Sequence, residues 1–121
     1  GGGGGSGPET ETIGGHSFRG QVVEGLDPKS LRGLIDEAKT SLGSGIAAVI
    51  AVNDGRASVA VGVTDDLVGE RDSVTLVRAA VETLGGKGGG GRPDMAQGGG
   101  PDGDKAEAAL NSIREALSAN D

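Results

Sequence analysis

The chain has no cysteine, tryptophan or tyrosine, and Phe18 and His16 are its only phenylalanine and histidine. Each absence excludes something. Without cysteine there are no disulfides, thiolate metal sites or cysteine nucleophiles, which fits a reducing compartment. One histidine cannot assemble a zinc site of the usual kind. One phenylalanine cannot supply the stacking platforms on which common single-strand RNA modules hold bases. No apolar run reaches membrane-spanning length and nothing resembles a signal peptide, so no membrane partner is expected. Basic residues are also short: the net charge of −7 excludes an indiscriminate nucleic-acid binder held by a basic surface. Any RNA contact must be local and must read shape. Residue 1 is glycine and Met95 is the sole methionine, so the chain is expected to be part of a longer or processed product.

Glycine is abundant: 26 of 121 residues, a length that suits one domain. Residues 1–16 begin GGGGGSGPETETIGG; too polar to offset ordering, they read as a disordered glycine-rich linker or tag, with one domain over 17–121. SFRGQVVEG places Phe18 and Val22 on one face of a first strand. Asp27 as N-cap and Pro28 at the first helical position open a helix. Its stripe is Leu31, Leu34, Ile35, Ala38 and Leu42, and Gly43 ends it. Ile46 to Val52 is apolar throughout, as in a strand covered on both faces. Asn53-Asp54-Gly55 supplies a tight turn, and a second strand follows with Ala57, Val59, Val61 and Val63 on one face. A helix from about Asp72 to Leu84 buries Val74, Val77, Val81 and Leu84. A last helix buries Ala106, Leu110, Ile113 and Leu117, with Asp104 and Glu107 at capping-box spacing. The expected fold is α/β, bordering on α+β: a mixed β-sheet with a central antiparallel hairpin, three helices packed on it, and one glycine-rich loop over 85–101.

That loop contains GGKGGGGRPDMAQGGG, in which nine of sixteen residues are glycine. A tether is the plain reading of such composition. The stretch is, however, longer than compact domains use to join helices, and Arg92-Pro93-Asp94-Met95-Ala96-Gln97 mixes a turn former with contact groups. An extra strand at 95–97 is one way to use it. Glycines let a partner approach the backbone closely, and Lys87 and Arg92 flank the first run as a point charge and a fork for phosphate. It is not a nucleotide-binding loop: Gly86 and Gly91 have the Walker spacing, but Arg92-Pro93 replaces Lys-Ser/Thr and no strand precedes it.

The stretch resembles the signature near the C-terminus of alanyl-tRNA synthetases, in the domain related to the one that accompanies DHH-type phosphoesterases. DPKSLRGLIDEAK and VAVGVTDDL extend the resemblance over about Phe18 to Leu117. Gly98 where alanine is more usual, and four glycines between Lys87 and Arg92 where three are commoner, are small departures. The resemblance implies an appended, non-catalytic domain that contacts the elbow of alanine tRNA and helps the aminoacylation and editing domains act on one tRNA. It implies no cofactor in this chain, the parent enzyme using ATP, Mg2+ and zinc elsewhere, and a cytoplasmic location. Partners would be alanine tRNA, the other synthetase domains and, through the parent enzyme, a second copy. Carried over by motif, the contact residues are Lys87, Gly88, Gly89, Gly90, Gly91 and Arg92, then Met95 and Gln97.

Two other functions stand beside this one. The acidic composition suits a docking or oligomerisation module with little RNA affinity. An independent hydrolase lacks any nucleophile–base constellation. Among single residues, His16 reads as a solvated linker residue, and Asp65 and Asp66 as turn and capping groups rather than cation ligands. Met95 is either an RNA contact or a plug under the loop, and Gln97 either reaches a base or satisfies the loop backbone. Asp94 holds Arg92 or caps the loop. Arg19, Lys29, Arg32 and Arg71 read as scattered surface charge.

Overall fold

The computed structural model describes residues 10–119. Six strands form one sheet in the order β1-β2-β3-β4-β6-β5. They are β1 (Thr10–Ile13), β2 (His16–Glu24), β3 (Ile46–Asn53), β4 (Arg56–Val63), β5 (Gly90–Arg92) and β6 (Met95–Gly100); the helices are α1 (Leu31–Leu42), α2 (Ser73–Thr83) and α3 (Ala106–Ala119). β2 and β3 run parallel, joined through α1, and every other pair is antiparallel. The mixed sheet with three helices is the expected α/β architecture.

The centre follows from local chemistry. The Asp27 carboxylate accepts from Lys29 N at 2.9 Å and starts a short 3-10 turn at Pro28, which runs into α1. Gly43, at φ 74°, ends α1 with its N–H on Lys39 O. Between β3 and β4, Asp54 and Gly55 take φ 54° and 79°, the two left-handed residues of a hairpin turn that matches strand twist. β3 is buried on both sides, and alternation divides its residues: Ile46, Ala48 and Ile50 join the core under α2 and α3, while Ala47, Val49 and Ala51 meet α1. The first core holds Phe18, Val59, Val61, Leu76, Val77, Leu84, Ile113 and Leu117. The second is smaller, with Leu31, Ile35, Ala60 and Met95. At Gly62 a β-carbon would collide with Ile35 Cγ2, so α1 lies close on this side.

Three expectations are corrected. The N-terminal polar stretch is not all linker: Thr10–Ile13 pairs with β2 across a Gly14-Gly15 turn whose φ values are 60° and 84°. Ile13 packs on the main core, and Arg114 binds Glu11 through Nε and Nη2 at 3.1 and 2.9 Å, which offsets the ordering of so polar a strand. Residues 1–9 of the expected linker lie outside the described residues. The 85–101 segment is not a loop, because β5 and β6 occupy most of it, and the strand expected at 95–97 runs on to Gly100. Asp104 is not a helix cap: it lies inside a 3-10 turn, Gly103–Lys105, that precedes α3.

Candidate nucleic-acid interface

The glycine-rich segment is fastened at both ends and at its turn. Gly86 N donates to Val81 O at 3.0 Å, and Asp102 N to Leu84 O at 2.9 Å. β6 lies along β4 from Gly62↔Met95 to Ala57↔Gly100. The Pro93-Asp94 turn is held from three elements: Ser73 N donates to Pro93 O (2.9 Å), Val63 N to Asp94 O (3.0 Å) and Lys39 Nζ to the same oxygen (3.2 Å). A tether would have no such partners.

Alternation then gives the strand pair two unlike faces. Ala96 and Gly98 face α2, where a β-carbon at Gly98 would lie 2.6 Å from Val81 Cγ2 and 3.0 Å from Val77 Cγ1. These glycines are small because a helix packs on them. The other face carries Gly90, Arg92, Met95 and Gln97, in register with one another and with Ala60 of β4. α1 covers only part of this face. Gly90 has neither a left-handed φ nor any atom within 4 Å of a β-carbon built on it. Nothing in the fold demands glycine there.

The expected contact residues divide accordingly. Arg92 is 71% exposed, with Nε 3.5 Å from Asp94 Oδ1, so Asp94 does hold it while the outer nitrogens face solvent. Lys87 and Gly88 are exposed on the segment before β5, and Lys87 has no hydrogen bond or ion pair among the described residues. A β-carbon would meet Val77 at Gly89, and the Met95 carbonyl and Ala96 at Gly91, so packing holds both to glycine although Gly91 itself is exposed. Met95 is buried and belongs to the α1-side core, so it is a plug whose edge reaches the surface. The Gln97 side chain is half-buried and makes no hydrogen bond among the described residues; it does not satisfy the backbone around it.

Gly90, Gly91, Arg92, Met95, Ala96 and Gln97 form, with Arg32, a shallow depression of about 220 Å3. Arg32 was not legible as a site residue. It and Lys39 lie two turns apart on the flank of α1 beside the glycine hairpin, a placement that only the docking of α1 creates. Two of the other scattered cations go elsewhere. Arg19 binds Thr10 Oγ1, and Arg71 is buried, its guanidinium bonded to Glu70 O and 3.5 Å from Gly14 O. A larger hollow of about 840 Å3 adjoins the β3–β4 turn, but Asp27 and Asp54 stand with Arg56 there, so its charge is mixed.

Two further residues differ from, or match, their sequence reading. His16 is not a solvated linker residue: its ring is 14% exposed, with Nε2 3.7 Å from Glu70 Oε1. Asp66 is a turn group, accepting from Ser44 Oγ at 2.5 Å and Thr64 Oγ1 at 2.6 Å. Those hydroxyls, Ser44 first, hold its carboxyl below the ordinary carboxylate value. No cluster of three or more acidic or histidine side chains among the described residues is placed to hold a metal ion, and no helix among them is long and apolar enough to cross a membrane.

Comparison with known proteins gives consistent results. Residues 15–119 match the DHHA1 domain. The alanine–tRNA ligase of Rhizorhabdus wittichii is 64% identical over 118 residues, 95% of this chain and 13% of that protein. That of Sphingopyxis alaskensis is 60% identical over 116 residues, 96% of this chain and 13% of that protein. The chain thus spans about 13% of the length of these curated relatives. The crystal structure of the C-Ala domain from Aquifex aeolicus alanyl-tRNA synthetase superposes with a TM-score of 0.84 at 28% identity, covering 91% of this chain and 98% of that one.

Proposed function

The chain belongs to the DHHA1 domain family, and from that premise we propose that it is an appended, non-catalytic tRNA-binding domain of an alanyl-tRNA synthetase. It contacts the elbow of alanine tRNA and so helps the aminoacylation and editing domains of the parent enzyme act on the same tRNA, in the cytoplasm. The chemistry belongs to those domains, with their ATP, Mg2+ and zinc; this chain needs no cofactor for its part. The names of its relatives support the reading. The observation that carries it is the uncovered face of β5 and β6, where Gly90 leaves a bare surface that no packing demand explains, beside the exposed Arg92.

A flat, side-chain-free strand pair can lie against RNA at short range, where a bulky surface would hold it off. Local cations supply the attraction. In a chain of net charge −7, a phosphate backbone gains only where cations stand clear of the carboxylates. Lys87 and Arg92 meet that condition: among the described residues the first has no ion pair and the second is bound to Asp94 through one nitrogen only.

Fluorescence anisotropy with full-length alanine tRNA, and with an acceptor-stem hairpin lacking the elbow, tests this at two salt concentrations. Tight, salt-sensitive binding to the full tRNA alone is expected, and Lys87→Ala with Arg92→Ala should weaken it by about tenfold or more. Unchanged affinity in that double variant would sink the reading. The net charge favours one alternative, a docking module for other synthetase domains or a second copy; equal, weak binding to both RNAs supports that instead.

A further inference from the structure

We infer that Arg32 and Arg92, which line one depression, form a two-guanidinium clamp for a phosphodiester of the RNA backbone, with Gly90 and Gln97 as its floor. The inference rests on the tRNA-binding reading and adds to it a residue from α1 that lies outside the glycine-rich segment.

Both arginines line the same depression, and Lys87 does not. The two differ in how they are held. Arg92 is oriented by Asp94, which engages Nε and leaves the paired outer nitrogens for a ligand. Asp94 is itself fixed, its carbonyl accepting from Val63 N and Lys39 Nζ and its carboxylate 4.0 Å from Lys39. Arg32 is exposed and has no hydrogen bond or ion pair among the described residues. This is notable in a chain with 18 carboxylates, one of which, Asp36, lies a single turn further along α1 without pairing to it. Two cations on one shallow hollow repel each other unless an anion lies between them. The planar fork of a guanidinium matches the paired oxygens of a phosphate, and two forks can share one phosphodiester.

The floor suits the same ligand. Gly90 presents bare backbone, and the Gln97 amide, without a partner among the described residues, lies where a sugar hydroxyl or a second phosphate oxygen would come. Ribose and phosphate are what all four groups can hold together. Gly90 and Gln97 offer no stacking surface, and guanidinium forks bound to phosphate read no base, consistent with contact through shape and backbone.

The test is a salt series of anisotropy titrations with full-length alanine tRNA. It compares the wild-type chain with Arg32→Ala, Arg92→Ala, the double variant, Arg32→Lys and, as a control, Lys105→Ala, an exposed lysine outside the depression. Arg32→Ala and Arg92→Ala should each weaken binding about tenfold and lower the slope of log affinity against log salt by about 0.7–0.9. The double variant should lose less than the product of the two single losses, because the arginines share one phosphate. Arg32→Lys should retain the salt slope yet bind more weakly than wild type, since the charge remains and the fork does not. Thermal unfolding should be unchanged for Arg32→Ala, which separates lost contact from lost fold. Inorganic phosphate should compete with tRNA only weakly; strong competition that vanishes in Arg32→Ala would mean a free-anion site and overturn the RNA assignment. If Arg32→Ala matches wild type while Arg92→Ala is weakened, the clamp is wrong and the tRNA reading stands. If no variant differs from wild type, or the wild type binds no tRNA, both fall.

Discussion

Under α2 and α3 the sheet presents Phe18, Ile46, Ile50, Val59 and Val61; around and beyond α1 it presents Ala47, Ala51, Ala60, Gly90 and Gln97. One sheet thus has a bulky face and a lean one. The bulky face is closed by two helices and carries the larger core. The lean face is closed by one helix, and beside that helix the strands are left bare. Burial of large apolar side chains contributes roughly 1.5–3 kcal/mol each, so stability is concentrated on the first face. The second is free to be shaped by what approaches it. Glycine occurs on both, for opposite reasons: Gly98 because Val81 is already there, Gly90 although a β-carbon on it would meet nothing.

Removing bulk from the covered face should have the largest effect. Leu117→Ala leaves a cavity in the main core and should cost about 2–5 kcal/mol in urea unfolding. The molecules that remain folded should bind tRNA with wild-type affinity. A loss of affinity per folded molecule would show that the two faces are coupled.

The sharpest separation comes from adding one methyl group to either side of the glycine hairpin. Gly98→Ala pushes a β-carbon against Val81 and should destabilise by about 1–3 kcal/mol. Gly90→Ala meets nothing and should leave stability within about 0.5 kcal/mol of wild type or slightly raise it, yet weaken tRNA binding. If Gly90→Ala binds tRNA normally, the bare surface is not a contact surface and the comparison loses its functional half.

The smallest effect belongs to the edge between the faces. Because the carboxyl of Asp66 is depressed by Ser44 and Thr64, its contribution is present above the ordinary carboxylate value and fades as pH falls through the lowered one. Asp66→Asn should therefore narrow the stability difference from wild type at strongly acidic pH and show it most at neutral pH. Thermal scans across that range read it, and a difference that grows on acidification would refute the assignment.

Much of the fold was legible because the signals were local. Asn53-Asp54-Gly55 names its own turn, Asp27-Pro28 opens the 3-10 turn that runs into α1, Gly43 closes that helix, and the apolar stripes of α2 and α3 need only helical periodicity. The misses share a cause. Gly14-Gly15 is a hairpin signal too, but polar Thr-Glu composition hid a strand that is held by Arg114, far along the chain, and by the packing of its own Ile13 on the main core. β5 and β6 carry too few side chains to show period two, so their pairing with β4 had no pattern to announce it. Arg32 looked like one more surface charge because nothing in its neighbourhood along the chain distinguishes it from Lys29 or Arg19.

By itself the sequence determined the elements with strong local punctuation, the apolar faces they bury, and a cation-flanked glycine segment too elaborate for a spacer. Backbone sterics, capping and periodicity act over a few residues, and a few residues suffice to read them. Only the tertiary structure decided that this segment is a strand pair in the sheet, which glycines are forced by packing and which are left bare, and that Arg92 lines one depression with Arg32 and not with Lys87. Those outcomes depend on where α1 and α2 dock, and docking is fixed by contacts between residues remote in sequence, which no local pattern encodes.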